Sequence, residues 1–300
     1  MENHKKTLLA EGLLFVLAMI WGGTFVAGKV TLEGMDPYWI MVIRFFVGST
    51  LLAMIFPKDF RALDKKTIKA GIEVGLLLGV GTAFQMIGLQ YTTPAQQSFI
   101  IVTYVVTVPL LYWLVYKRYP GNIMLSASLL AFVGVGFLSL KDGFTINFGD
   151  ILTFIYALLF AIQMLRVDYH AGTVSSPIGF TIVQLYTSGF VALGLAFVKG
   201  GSVFTQAPTL PVILGLLYLT LLNTSVAYGI QNFSQQYARP SKTALIISTE
   251  SLFGALAAYF IVGESFTLQK VIGCSLVFLG IMVAQFGSKL LKPNRNNKVA

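Results

Sequence analysis

Glu250 stands near the middle of a long apolar stretch, within Ser248-Thr249-Glu250-Ser251. On insertion scales a charge at that depth of a bilayer costs roughly 2.5 to 3.5 kcal/mol, so something must offset it. The carboxyl is protonated, paired with a cation or facing a wet cavity. A protonatable carboxylate at the midplane suits proton-coupled export or recognition of an amine. Its plainer role is a protonated acid hydrogen-bonded to a neighbouring helix. Arg44 is the only deeply placed cation. It could bind a substrate carboxylate, but the structural roles are favoured: it lies close enough to one end of its apolar stretch to snorkel, or it holds carbonyls of a neighbouring helix. Neutral amides recur in other apolar stretches, at Gln85, Gln163, Gln184 and Asn223. Lipid offers them no partner, so each is expected to face protein. The aromatic rings of Trp21, Tyr104 and Tyr228 lie at similar depths and could stack on a ring or a cationic headgroup, with ordinary packing at least as good an account of each.

The chemistry missing from the chain narrows the classes. The two histidines, His4 and His170, lie in the N-terminal tail and in an expected cytoplasmic loop, with no Cys/His/Asp cluster and no Gly-rich phosphate loop. No metal site and no cofactor is expected. Midplane cations are too scarce for a phosphorylated substrate, which would need several Lys or Arg. A membrane-embedded enzyme would need a convergent nucleophile, base or metal set, and at most one carboxylate and one arginine are available, so the chain is not read as an enzyme. Asp150 and Glu11 stand at the expected starts of the sixth and first spans, where a carboxylate complements a helix N-terminus. Cys274 is expected to be a buried, unreactive thiol.

These side chains need elements to position them, and the composition says what those are. Hydrophobic residues make up 56% of the 300 positions and charged residues only 11%, against roughly 25% charged in soluble domains. Ten apolar stretches follow: 8 to 28, 37 to 57, 70 to 90, 95 to 116, 122 to 140, 149 to 168, 177 to 198, 210 to 231, 242 to 262 and 267 to 287. Stretches of roughly 20 apolar residues match the bilayer's hydrocarbon thickness. The reading is an all-α integral membrane protein of ten spans, five in residues 8–140 and five in 149–287. An odd number of spans per half turns the second half over, so the halves are expected to be inverted repeats with a site between them near the midplane.

Net charge is +9, but the basic residues sit at span ends. With the N-terminus inside, sixteen of the 21 fall at cytoplasmic ends, four (Lys29, Lys141, Lys199, Lys270) fall outside, and the remaining one is Arg44. By the positive-inside rule both termini face the cytoplasm. The basic connection 58–69 is expected to be a cytoplasmic loop drawn to anionic lipid, and 288–300 a disordered cytoplasmic tail. Gly71, Gly75 and Gly79, at spacing four, clear one stripe of the third span for close approach of another backbone.

The repeat is clearest where Tyr91-Thr92-Thr93-Pro94 overlies Tyr237-Ala238-Arg239-Pro240, 146 positions later; each starts a helix after its proline. At that offset Tyr104 falls on Glu250.

Several motifs together resemble the drug/metabolite transporter superfamily, specifically the ten-helix EamA-type permeases. They are Trp21-Gly22-Gly23-Thr24-Phe25, Pro37 with Arg44, Gln90-Tyr91-Thr92-Thr93-Pro94, the run Tyr104 to Leu111, Gly149-Asp150, Leu222 to Tyr228, Gln235 to Ala244, Glu250 and Gly263-Glu264. The resemblance spans residues 8 to 287. It implies a permease of the cell (inner) membrane, usually an exporter of amino acids, other small metabolites or drugs, whose cavity is lined by the first, third, fourth, sixth, eighth and ninth helices. Carried onto this chain, it points to Trp21, Thr24, Gln85, Tyr104, Gln163, Tyr228 and Glu250. Ser251 stands where many relatives have proline, Phe160 where many have tryptophan, and Lys117-Arg118 where the second half has Gly263-Glu264. The expected activity is secondary active export of a small amino-acid-like or amine solute by alternating access, with protons as a possible coupling ion at Glu250. A multidrug or toxic-compound carrier and a passive facilitator or channel are the alternatives. Substrate identity, direction and oligomeric state are not legible in these residues.

Overall fold

The computed structural model describes residues 2–139, 147–199, 201–257 and 268–290. These residues form helices α1 (Glu2–Leu32), α2 (Pro37–Ile55), α3 (Pro57–Arg61), α4 (Lys65–Tyr91), α5 (Pro94–Ile101), α6 (Tyr104–Tyr116), α7 (Asn122–Ser139), α8 (Phe148–Ala171), α9 (Pro177–Lys199), α10 (Leu210–Leu217), a π-helical segment Tyr218–Val226, then α11 (Ala227–Ser234), α12 (Pro240–Ile247), α13 (Glu250–Ala257) and α14 (Leu268–Leu290). Seven helices among the described residues are long and apolar enough to cross a membrane, and Asn122–Phe137 and Val271–Ala284 are shorter apolar helices. Large side chains such as Leu114, Phe190 and Phe197 are exposed on the outside, as a protein solvated by hydrocarbon allows.

Local chemistry sets the helix ends. The Asp36 carboxylate accepts from the backbone N–H groups of Tyr38 and Trp39, just ahead of Pro37 in the first turn of α2. Asn147 and Asp150 form a reciprocal capping box at α8, as expected for Asp150. Glu11 differs from expectation: α1 begins nine residues earlier, and Glu11 instead pairs with Lys242 across to α12. The connection 58–69 is largely helical, with α3 running into it as far as Arg61 and α4 starting at Lys65. Asp64 caps α4, and hydrogen bonds from Thr67 hold its carboxyl below the usual carboxylate range. His170 belongs to the last turn of α8 rather than to a loop, and its Nε2 lies 3.0 Å from Glu73, which also pairs with Arg166. Cys274 is half-buried, not fully buried. Lys117 ends α6 with a left-handed φ of 53°, a conformation glycine adopts freely. Its counterpart Gly263, with Glu264, lies outside the described residues, as do Lys141 and the tail from 291 onward.

The glycine stripe of α4 does what its spacing predicts. A Cβ on Gly75 would stand 2.5 Å from the carbonyl of Gln184 and 2.6 Å from Thr187 Cβ, and one on Gly71 would stand 2.6 Å from Val183 Cβ. α4 and α9 are therefore in backbone contact along this face.

Contacts recur in pairs along the chain. α8 packs on α4, α5 and α6, while α1 packs on α10, α11, α12 and α13; α9 packs on α4, while α2 packs on the π segment; α7 runs along α14. The two broken helices match residue for residue. α5 and α12 each begin at a proline and run eight residues. The chain then turns with the same backbone bonds, Thr103 N to Ile100 O and Thr249 N to Ile246 O, before restarting at Tyr104 and Glu250. α1 gauges where they start. Lys29 Nζ donates to the carbonyls of Leu89 (2.9 Å) and Thr92 (3.3 Å), beside Pro94, whereas Glu11 pairs with Lys242, beside Pro240. Eighteen residues of helix separate Glu11 from Lys29, about 27 Å at 1.5 Å per residue, close to the roughly 30 Å of a hydrocarbon core. α5 and α12 thus start from opposite ends of α1.

Candidate functional site

The breaks in these two helices meet. Tyr104 Oη donates to Glu250 Oε1 at 3.0 Å, with Tyr104 fully buried and Glu250 3% exposed. Both side chains leave the chain where it has just turned, which directs them inward instead of along a continuous helix face. Glu250 therefore stands buried where the two breaks meet.

α1 is held against this break by the absence of a side chain. A Cβ on Gly22 would lie 2.8 Å from the Glu250 carbonyl and 2.7 Å from Phe253 Cβ, so glycine is what lets α1 approach α13 closely. The neighbouring Trp21 and Thr24 are thereby brought to the same cavity as Glu250.

The opposite wall is built by the π segment. In the wider turn each carbonyl bonds five residues on, and here the hydroxyls of Thr224 and Ser225 also donate to the carbonyls five residues back, of Leu219 (2.7 Å) and Thr220 (3.1 Å). Asn223 becomes a hub. Its backbone oxygen accepts from Trp21 Nε1 at 3.4 Å, its Nδ2 donates to Thr24 Oγ1, and its Oδ1 accepts from Arg44 Nη2. Arg44 Nε donates to Thr224 Oγ1 at 2.9 Å. Arg44 is thus 2% exposed and tied to side chains of the π segment; it neither snorkels nor rests on carbonyls. Its third nitrogen, Nη1, is buried without a hydrogen-bond partner.

A cavity lies among these groups. Trp21, Thr24, Gln85, Tyr228 and Glu250 line it, together with Arg44, Asn223, Tyr156 and Phe160. Tyr104 does not line it and is joined to it only through its bond to Glu250. Gln163 does not line it: that side chain accepts from Gln231 at 3.2 Å, in a layer of amides that also holds Asn232, bonded to Gln184 at 2.7 Å. The walls are aromatic. Phe160 packs edge-on to Trp21 and Tyr104, with centroids 5.5 and 5.2 Å apart, and Trp21 packs likewise on Tyr228 at 5.6 Å. The water-accessible volume is about 20 Å³, room for about one water.

Arg44 and Glu250 form no ion pair with each other among the described residues. Tyr156 and Tyr228 stand within electrostatic reach of both, so two phenols share the cavity with a cationic and an acidic group. Tyr156 escaped the sequence reading, although Tyr156, Phe160 and Gln163 fall at i, i+4 and i+7 on one helix face. Among the described residues no group of three or more His, Cys, Asp or Glu is placed to hold a metal ion.

A model of the EamA-like transporter family matches residues 8–140 and again residues 147–285. The chain belongs to the EamA-like transporter family. Among the EamA-like relatives, a protein of Archaeoglobus fulgidus named an uncharacterized transporter is 34% identical over 281 residues, covering 93% of this chain and 86% of its own. The inner membrane transporter YedA of Escherichia coli K12, also named uncharacterized, is 22% identical over 297 residues, covering 96% and 94%. A solved crystal structure at 13% identity superposes with a TM-score of 0.79 over 95% of this chain and 99% of its own, a likeness of fold. This EamA-like chain is a multi-pass membrane transporter.

Proposed function

We propose that the protein is a secondary active exporter of small amino-acid-like or amine solutes, with its substrate site in the cavity beside Glu250. The observation that carries this is the buried carboxylate at the meeting of two broken helices, facing a cavity lined by Trp21, Thr24, Gln85 and Tyr228. An acidic group there recognises a cationic amine, and it is also a group that can exchange a proton with each side in turn.

The architecture read from the sequence, ten spans in two inverted five-helix halves over 8–140 and 149–287, is supported by three features. The family model matches twice, helix contacts recur in pairs, and α5 and α12 start from opposite ends of α1. Both termini face the cytoplasm in this reading, on the strength of the basic residues. The cavity as it stands is far too small for a solute larger than water, so transport requires its walls to part. They are tied at one end by Glu11–Lys242 and at the other by Asp150, which accepts from Thr92 Oγ1 (2.7 Å) and Gln96 Nε2 (2.8 Å). Alternating access releases one tie while the other holds.

Reconstitution in liposomes tests this. Counterflow of labelled amino acids or amines should show trans-stimulation, which an open pore lacks. Glu250→Gln should reduce transport driven by a pH gradient to near background. Gradient-driven flux equal to the parent's would remove Glu250 from the mechanism.

A further inference from the structure

The basic residues between α2 and α4 are sorted by the fold. Along α4, Lys65 and Lys69 share one face with Ile72, Leu76 and Val80, and all five are exposed. The three apolar residues are the stripe that α4 turns to hydrocarbon. At 1.5 Å per residue, Lys69 and Lys65 lie about 4.5 and about 10.5 Å beyond the end of that stripe. The headgroup layer adds roughly 5 to 7.5 Å to each side of the hydrocarbon core, so both ammonium groups reach it. α3 repeats the pairing: Phe56 and Phe60, one turn apart, are 39% and 43% exposed, with Lys58 and Arg61 exposed beside them. The two acids of the segment are engaged elsewhere. Asp59 accepts from Ser176 Oγ at 2.6 Å, and Asp64 accepts from the Thr67 N–H at 2.9 Å and from Ser175 Oγ at 3.3 Å. Lys58, Arg61, Lys65, Lys66 and Lys69 form no ion pair among the described residues.

From this arrangement we propose that α3 and the first turns of α4 form a binding site for the headgroup of an anionic phospholipid. Arg61, Lys65 and Lys69 donate to its phosphate oxygens, and the rings of Phe56 and Phe60 enter the boundary between headgroups and acyl chains. The bases sit at the edge of a hydrocarbon-facing stripe, where lipid phosphates are the anions at hand, and each base near an anionic surface adds to the attraction. A zwitterionic headgroup carries its own cation and no net charge, so the site separates the two lipid classes. Asp59 and Asp64 are positioning residues: through Ser176 and Ser175 they tie α3 and α4 to the residues just ahead of α9, and the bases are left outward. None of these groups lines the cavity beside Glu250, so the site stands whatever the transported solute.

Native mass spectrometry of the full-length protein in detergent micelles tests this, with dioleoylphosphatidylglycerol and dioleoylphosphatidylcholine titrated separately. The parent is expected to hold phosphatidylglycerol about tenfold or more tightly than phosphatidylcholine, and raising the ammonium acetate to about 0.5 M should shrink that preference. Lys65→Gln combined with Lys69→Gln should bring the ratio to within about threefold. Lys117→Gln combined with Arg118→Gln removes the same charge at the end of α6 and should leave the parent's preference intact. All four side chains are exposed, and monodispersity in detergent checks the fold of each variant. Equal binding of the two lipids by the parent overturns the site. Equal loss in the two variants also overturns it, because the attraction would then belong to overall charge. Displacement of phosphatidylglycerol by millimolar inorganic phosphate would assign the bases to a free anion and overturns the lipid site as well.

Discussion

Asn223 shows how much depends on one side chain. It joins Thr24 and Arg44, and removing its amide strands a buried guanidinium donor. Asn223→Ala is expected to destabilise the protein by about 2 kcal/mol, read as a lowered melting temperature in detergent. Thr24→Val, which removes one neutral partner of the same hub, should cost less. Residue type alone marked Asn223 and Arg44 as polar groups needing partners, because lipid supplies none. It could not say that they would find each other, 179 positions apart. Phe160 was visible only as a departure from a resemblance, yet its ring touches both Trp21 and Tyr104. Gln163 was chosen by resemblance to line the cavity; the structure places it with Gln231, one amide layer away.

At the scale of elements, the glycine stripe of α4 was legible because spacing four keeps one face clear whatever lies opposite. Gly75→Val is expected to cost about 1–3 kcal/mol by overpacking, since the Gln184 carbonyl and Thr187 offer no room. Gly194→Ala in α9, where a new Cβ meets nothing within 4 Å, should be neutral or gain up to about 1 kcal/mol. Thermal unfolding of the two variants side by side checks the contrast, and equal behaviour would refute backbone contact between α4 and α9. The breaks after α5 and α12 were not legible. Val102-Thr103 and Ser248-Thr249 contain neither proline nor glycine, so local propensity gives no stop signal there. The π segment is hidden for the same reason: the hydroxyls that reach back to its carbonyls read as ordinary polar residues.

For the whole molecule, topology is the testable property. In a Cys274→Ser background, Lys5→Cys, Lys58→Cys and Thr173→Cys are expected to react with an impermeant thiol reagent from one face of sealed vesicles, and Glu33→Cys and Gln206→Cys from the other. A shared face for all five would contradict the opposite threading of the two halves. What the sequence determined alone is everything that depends on solvent and on counting: apolar stretches long enough for hydrocarbon, basic residues gathered at one set of ends, and a spacing of 146 between two proline-led segments. These are properties of each segment, fixed before any segment meets another. What only the tertiary structure decided is which buried polar groups become partners. Tyr104 meets Glu250, and Arg44 is held with one nitrogen unfilled, because inside a bilayer a polar group must be satisfied by whatever the fold carries to it from far along the chain.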